Sequence, residues 1–343
     1  MDSTGHSQPP TRVAVIGCGR IGQLHAGLLA RELPGFVLAG VADAVPGVGE
    51  ATAAKTGSVV LEVEQILSSP EVQAVAICSS TDTHVDLIER AALAGKAIFC
   101  EKPVSLDLDQ VRRARQTVIE SGVPFMVGFN RRFDPGHASV RAAVARGEIG
   151  SVHLVRVTSR DPMPPPLDYL AVSGGLFMDM AIHDFDMARF VTGSEVTEVF
   201  ARGAVRIDPG IGEVGDVDTA VTVLMHADGT LTTVDNSREA VYGYDQRLEA
   251  FGSLGLAVSD NHRVHHGWSM TRDGATIQQL PWFFLERYRD AYRREWEAFG
   301  EYLINGGTPP AGIDDALAAT AIALAAGRSL QAGQPVAVQE VIG

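Results

Sequence analysis

The sequence predicts an α/β protein: an N-terminal doubly wound parallel sheet, then a C-terminal α+β part with a largely antiparallel open sheet. Three observations predict it. From Thr11 onward, short apolar runs alternate with amphipathic segments of helical length, the pattern of strand-helix-strand units in a parallel sheet. After Gly150 the rhythm changes to β-rich runs, with a hairpin signal at Ala227-Asp228-Gly229. A length of 343 residues also exceeds what one hydrophobic core usually organises, which suggests two domains.

In chain order, residues 13–16 form the first expected strand, followed by a glycine-rich turn and a helix over about 22–31. Residues 36–42, 74–78, 97–100 and 125–128 are the next four strands, with helices near 82–94 and 108–121 between them. The later runs at 152–160, 196–205, 218–226, 230–235 and 246–251 supply the second sheet. Residues 161–166 are too rich in proline for a regular element and read as a loop. Apolar spacing at Met178, Ile182, Phe185 and Phe190 predicts one helix over 174–190, and helices over 284–304 and 313–330 should pack back on one of the domains. The resulting division is a disordered lead-in over 1–10, domains over 11–129 and 130–330, and a tail over 331–343.

Composition limits the function. With 28 Lys+Arg against 42 Asp+Glu, the formal charge is -14 and no basic run occurs. This argues against a nucleic-acid or anionic-membrane partner, which needs a concentrated positive field; a small neutral substrate is not excluded. Hydrophobic residues make up 45% and charged residues 20%, a globular balance. Cys18, Cys78 and Cys100 are far apart, beside apolar runs and without metal-ligand spacing, so they read as reduced core thiols of a cytoplasmic protein. Residues 1–10 are polar and lack the apolar stretch of a signal peptide. The alanine-rich stretch 316–327 is shorter than the roughly 20 residues of a membrane span.

Three motifs carry chemistry. Gly17, Gly19 and Gly22 follow a strand and open a helix. Glycines at these places allow a tight turn, close approach to a pyrophosphate and close helix packing, while the helix N-terminus offers N–H groups to the phosphates. Arg20 and Ile21 lie inside this cofactor-binding turn. Asp43 ends the second strand about 20 residues on, where a carboxylate accepts hydrogen bonds from the ribose hydroxyls of NAD. Ala44 follows it and no arginine is placed for a 2′-phosphate, so NAD is favoured over NADP. Glu101-Lys102-Pro103 follows the fourth strand at the carboxyl edge of the sheet, where a lysine can reach a reacting hydroxyl. Asp179 and His183 are spaced i, i+4, which on a helix puts a carboxylate and an imidazole on one face. Such an imidazole can take a hydroxyl proton while hydride leaves the same carbon. A metal site built on His183, Asp179, Asp184 and Asp186 is not expected, because no second histidine lies nearby.

Together with Gly128-Phe-Asn-Arg-Arg-Phe-Asp134 and Gly174-Gly-Leu-Phe-Met-Asp-Met-Ala-Ile-His-Asp-Phe-Asp-Met-Ala-Arg189, these motifs resemble the glucose-fructose oxidoreductase and inositol dehydrogenase family. The resemblance runs from about Arg12 to Leu330. Within the family, Ser159-Arg-Asp-Pro162, Tyr242-Gly-Tyr-Asp-Gln246 and Phe283-Phe-Leu-Glu-Arg-Tyr288 are most similar to its inositol 2-dehydrogenase branch. The resemblance implies a Rossmann domain and NAD-dependent oxidation of a secondary hydroxyl of a cyclic polyol, with myo-inositol giving 2-keto-myo-inositol. It also implies roles: Lys102 hydrogen-bonds the reacting oxygen, Asp179 orients the ring and supports charge relay, and His183 is the general acid/base. Arg132, Asp161 and one of Tyr242 and Tyr244 would line the substrate pocket, and the lysine-proline bond is often cis in the family. Glu101 and Ser80 would join the cofactor site, with His84 either beside them or an ordinary helix N-terminal residue.

Rival readings are the same chemistry on scyllo- or chiro-inositol, an aldose or an anhydrosugar, and a non-catalytic NAD-binding sensor on this fold. Intact Lys102, Asp179 and His183 weigh against the sensor. His262-Arg-Val-His-His266 reads as a β-rich edge with solvated side chains. An open sheet leaves one face to be covered by a second copy, so a homo-oligomer, dimer or tetramer, is expected.

Overall fold

In the computed structural model, which describes residues 9–265 and 267–343, the chain divides into two units. One takes the chain up to Gly128 together with Tyr292–Ala316, and the other takes Phe129–Ala291 and Leu317–Gly343. The lead-in expected over 1–10 lies, for residues 1–8, outside the described residues.

The first unit is built on β1 (Thr11–Ile16), β2 (Phe36–Ala42), β3 (Ala74–Ile77), β4 (Ala97–Glu101) and β5 (Phe125–Gly128), in the order β2-β1-β3-β4-β5. All four pairings are parallel. The runs Val13–Ile16 and Ala74–Ile77 are apolar at every position and buried at every position, as strands covered on both faces must be. Helices Arg20–Arg31, His84–Leu93 and Leu108–Ser121 provide that cover, each burying one stripe of residues such as Leu28, Ile88 and Val111. The strand order reverses between β1 and β3, and the carboxyl ends of these two strands form the switch point of the sheet. Helices Val48–Thr56 and Val63–Ser68 were not legible in the sequence.

The segment Tyr292–Ala316 returns to this unit, where the expected boundaries had kept 130–330 together. Aromatic packing explains the return. Trp296 is fully buried and stacks on Phe99 with ring centroids 4.6 Å apart, while Phe299 meets both rings edge-on. The Val127 amide of the edge strand also donates to Ala311 O at 2.9 Å.

In the second unit, β6 (Val152–Arg160), β7 (Val196–Ala204), β8 (Thr219–His226), β9 (Leu231–Ser237), β10 (Asp245–Gly252) and β11 (Gly255–Ser259) form most of one sheet. A short hairpin, β12 (Trp268–Thr271) with β13 (Gly274–Ile277), stands apart from it. The last strand, β14 (Val336–Ala337), completes the seven-stranded order β11-β10-β6-β9-β8-β7-β14. Within this sheet β6 and β9 pair in parallel, and the other described neighbours pair antiparallel. The β8–β9 hairpin turns at Gly229, which takes a φ of +87°. Alternation divides the strands: Val155, Val157, Leu224, Val234 and Leu248 are buried, while Val221, Met225, Phe251 and Val258 are exposed. The expected tail over 331–343 is instead part of this unit, because Val336, Val338 and Val341 are buried and β14 pairs with β7. His262 and His265 are exposed as expected but lie in irregular chain rather than in a strand, and His266 is outside the described residues.

The helix expected over 174–190 is two helices, Gly175–Asp179 and Ile182–Thr192. Between them the Ala181 amide bonds Leu176 O at 2.9 Å, one residue wider than an α-helical turn. Asp179 therefore ends one helix, and His183 opens the next.

Candidate active site

At the switch point, the glycine turn is shaped by contacts that tolerate no side chain. A Cβ on Gly17, whose φ is +94°, would lie 2.4 Å from the Ser79 amide nitrogen, and one on Gly22 would lie 1.9 Å from Gly17 O. Gly19 differs, since a Cβ there would meet no protein atom within 4 Å. The fold does not require that glycine, so its open space fits the approach of a ligand phosphate. Gly19 is also the N-cap of helix Arg20–Arg31, without a side-chain cap for the first-turn N–H groups. Arg20 is exposed and Ile21 partly so.

Asp43 follows β2, and its carboxylate accepts the Cys18 amide at 2.6 Å and the Val45 amide at 2.8 Å. These bonds fix an anion at the strand end, where it suits ribose hydroxyls and repels a 2′-phosphate. The residues present thus fit NAD. Ser80 is exposed in the loop after β3, where its carbonyl accepts the Thr83 amide at 2.9 Å. His84 is not part of a groove: it is 1% exposed, with Nδ1 2.9 Å from Pro103 O and Nε2 3.1 Å from Ser79 O. Burial pushes its pKa down, against those two carbonyls.

Lys102 leaves the end of β4, partly exposed, and its bond to Pro103 is cis. Glu101, expected at the cofactor, points into the unit instead. Its Oε1 is 2.8 Å from His25 Nε2, and its Oε2 accepts the Lys102 amide at 3.2 Å.

In the second unit, Asp179 accepts from Tyr169 Oη at 2.8 Å and from Arg238 Nη1 at 3.1 Å. Arg238 is fully buried and also reaches Asp216 at 3.2 Å. Asp216 in turn accepts the Leu176 amide at 2.9 Å, which anchors the start of the helix that ends at Asp179. The His183 ring meets Phe129 edge-on, centroids 6.1 Å apart. Sequence reasoning missed Arg238 and Asp216, which lie in no motif and act only through long-range contact.

Arg132 is not placed as a pocket residue. It is buried, donates to Asp186 at 2.8 and 2.6 Å and lies over the Phe190 ring at 5.1 Å. Its neighbour Arg131 pairs with Asp184, which also accepts from Asn236 Nδ2 at 2.8 Å, and lies close enough to Asp161 and Tyr244 to act on their charge. Asp161 follows β6; burial pushes its pKa up to about 6, with Arg131 pulling down and Asp179 pushing up. Tyr244 is 6% exposed, whereas Tyr242 is 49% exposed and donates to Asp245 at 2.7 Å while accepting from Arg160 at 3.0 Å. Tyr244 is thus the tyrosine beside Asp161 and Arg131. With Asp184 and Asp186 committed to arginines, no group of three or more metal-ligating side chains occurs among the described residues.

Residues 11–129 match the profile of an oxidoreductase family with an NAD-binding Rossmann fold, and residues 137–258 match the GFO/IDH/MocA C-terminal domain. The chain belongs to this oxidoreductase family. It is 46% identical to inositol 2-dehydrogenase of Rhizobium meliloti, over 93% of this chain and 96% of the relative. It is 44% identical to myo-inositol 2-dehydrogenase of Thermotoga maritima, over 97% of this chain and 100% of the relative. Among solved structures, scyllo-inositol dehydrogenase from Lactobacillus casei with bound NAD(H) and scyllo-inositol superposes with a TM-score of 0.88. That match has 28% identity and covers 96% of this chain and 99% of the other.

Proposed function

We propose that the protein is an NAD-dependent inositol 2-dehydrogenase that oxidises a secondary hydroxyl of myo-inositol to give 2-keto-myo-inositol. When bound, NAD accepts two electrons together with the carbinol hydrogen. The residues of the chain then manage position and proton. The glycine turn and Asp43 bind pyrophosphate and ribose. Lys102, cationic, lowers the energy of the developing alkoxide. His183, neutral, takes the hydroxyl proton at an imidazole nitrogen. Asp179, held by Arg238 and Tyr169, orients that imidazole and offsets its gained charge. Asp161, Tyr244 and Arg131 are the polar groups we assign to the polyol hydroxyls, in place of Arg132 and Tyr242.

The observation that carries this reading is likeness, over more than nine-tenths of both chains, to enzymes named for inositol oxidation. Lys102, Asp179 and His183 lie within the aligned length. The exposed apolar residues Val221, Met225, Phe251 and Val258 on one sheet face support association with further copies of the chain, as a dimer or tetramer. Three free, buried cysteines suit a reducing, cytoplasmic setting. No described helix is long and apolar enough to cross a membrane. The test is an NADH-absorbance screen over inositol stereoisomers and common sugars. The highest kcat/KM is expected for myo-inositol; preference for scyllo-inositol, an aldose or an anhydrosugar would reassign the substrate, and no turnover with any would leave the sensor reading.

A further inference from the structure

Glu101 sits directly before Lys102, yet its side chain serves the interior of the first unit. His25, which holds Glu101 Oε1 at 2.8 Å, is fully buried and is approached edge-on by Phe99, Tyr292 and Trp296. The Trp296 indole donates to His25 Nδ1 at 2.9 Å, across 271 residues of sequence. An indole N–H only donates. Nδ1 therefore offers a lone pair, the ring hydrogen is on Nε2, and the neutral imidazole donates to Glu101. The other carboxylate oxygen of Glu101 receives the Lys102 amide at 3.2 Å.

Glu295, next to Trp296, is fully buried, and neither of its carboxyl oxygens has a hydrogen-bond partner among the described residues. Burial and then the charge of Glu101 push its pKa well above the carboxylate range. Glu101, by contrast, is supplied with two N–H groups, from His25 and from the Lys102 amide.

We infer that Trp296, His25 and Glu101 form a positioning relay that fixes the main chain at Lys102 and so the direction of its ammonium. The inference rests on the reading of Lys102 as the group acting on the alkoxide. These are positioning residues: the returning segment Tyr292–Ala316 selects the tautomer of His25, the imidazole orients the carboxylate, and the carboxylate holds the Lys102 amide.

The experiment compares His25→Asn, whose amide falls short of Glu101, with His25→Gln, whose amide nitrogen reaches the place of Nε2. For His25→Asn, kcat with myo-inositol should fall about 10²-fold, the cost of a misplacement near 1 Å. KM and calorimetric NAD affinity should change little, and His25→Gln should recover most of kcat. Equal losses in both variants, a folded His25→Asn with wild-type kcat, or a parallel loss of NAD affinity would each overturn the relay. A readout without turnover uses imidazole nitrogen NMR of the wild-type protein. A neutral Nε2–H tautomer of His25 supports the relay, and an imidazolium or an Nδ1–H tautomer overturns it. If His25→Asn does not fold, Trp296→Phe should shift that tautomer balance, and an unchanged balance counts against the relay. Should the wild type oxidise no inositol, the proposed function fails while the tautomer still decides the relay.

Discussion

Behind the main chain at Lys102, in the first unit, side chains hold one another by single hydrogen bonds: Trp296 donates to His25, His25 meets Glu101, and Glu101 takes the Lys102 amide. Around His183, in the second unit, charge is abundant and paired, with Arg238 between Asp179 and Asp216 and Arg131 on Asp184. The contrast follows from how each place is made. The lysine stands at the end of a parallel strand that the sheet already places, so a single chain of hydrogen bonds reaching its amide completes the fixing. The histidine follows a break between two short helices, which leaves no regular ladder to hold Asp179, and buried ion pairs do that work instead. Buried pairs give orientation at a desolvation cost, so losing one partner is expensive.

The comparison is most severely tested at the two side chains proposed to manage the proton and the alkoxide. His183→Ala should lower kcat by on the order of 10² to 10⁴ with NAD affinity retained, and Lys102→Ala should also abolish turnover; near-normal turnover of either variant would remove it from the mechanism. Next comes Arg238→Leu, which strands Asp179 and Asp216 without their cation and should cost about 3–5 kcal/mol of stability in urea unfolding. A loss below about 1 kcal/mol would mean that the second unit does not depend on its ion pairs.

The smallest effect concerns pH. Asp161 has its pKa pushed up to about 6 from 3.8, so between these values the native state binds the proton that the unfolded chain has released. Stability attributable to Asp161 therefore falls as pH rises through that window. Asp161→Asn should melt above the wild type at pH 8, and the gap should close as pH falls toward about 4. A gap that is constant with pH would show that Asp161 titrates normally.

Legibility in the sequence differed in the same way. β2 and β5 were expected over the same residues at which they occur, because runs such as Phe125–Gly128 are buried throughout and alternate with clear helices. The i, i+4 argument for Asp179 and His183 assumed one continuous helix, and the wide turn at Ala181 that breaks it leaves no trace in spacing. Adjacent arginines were also beyond sequence reasoning: Arg131 meets Asp184 and lies near Asp161 and Tyr244, whereas Arg132 meets Asp186 and Phe190. Glu101 was expected at the cofactor, while its side chain meets His25, 76 residues away.

The sequence by itself determined the parallel sheet, its glycine turn, the anion after β2 and the lysine after β4, because each is set by residues within a few positions of one another and by a strand's demand for burial. Only the tertiary structure decided which partners Glu101 and each arginine meet, and how the chain from Tyr292 returns to hold His25. Those outcomes depend on desolvation and on partners tens to hundreds of residues apart, and neither quantity is carried by local sequence.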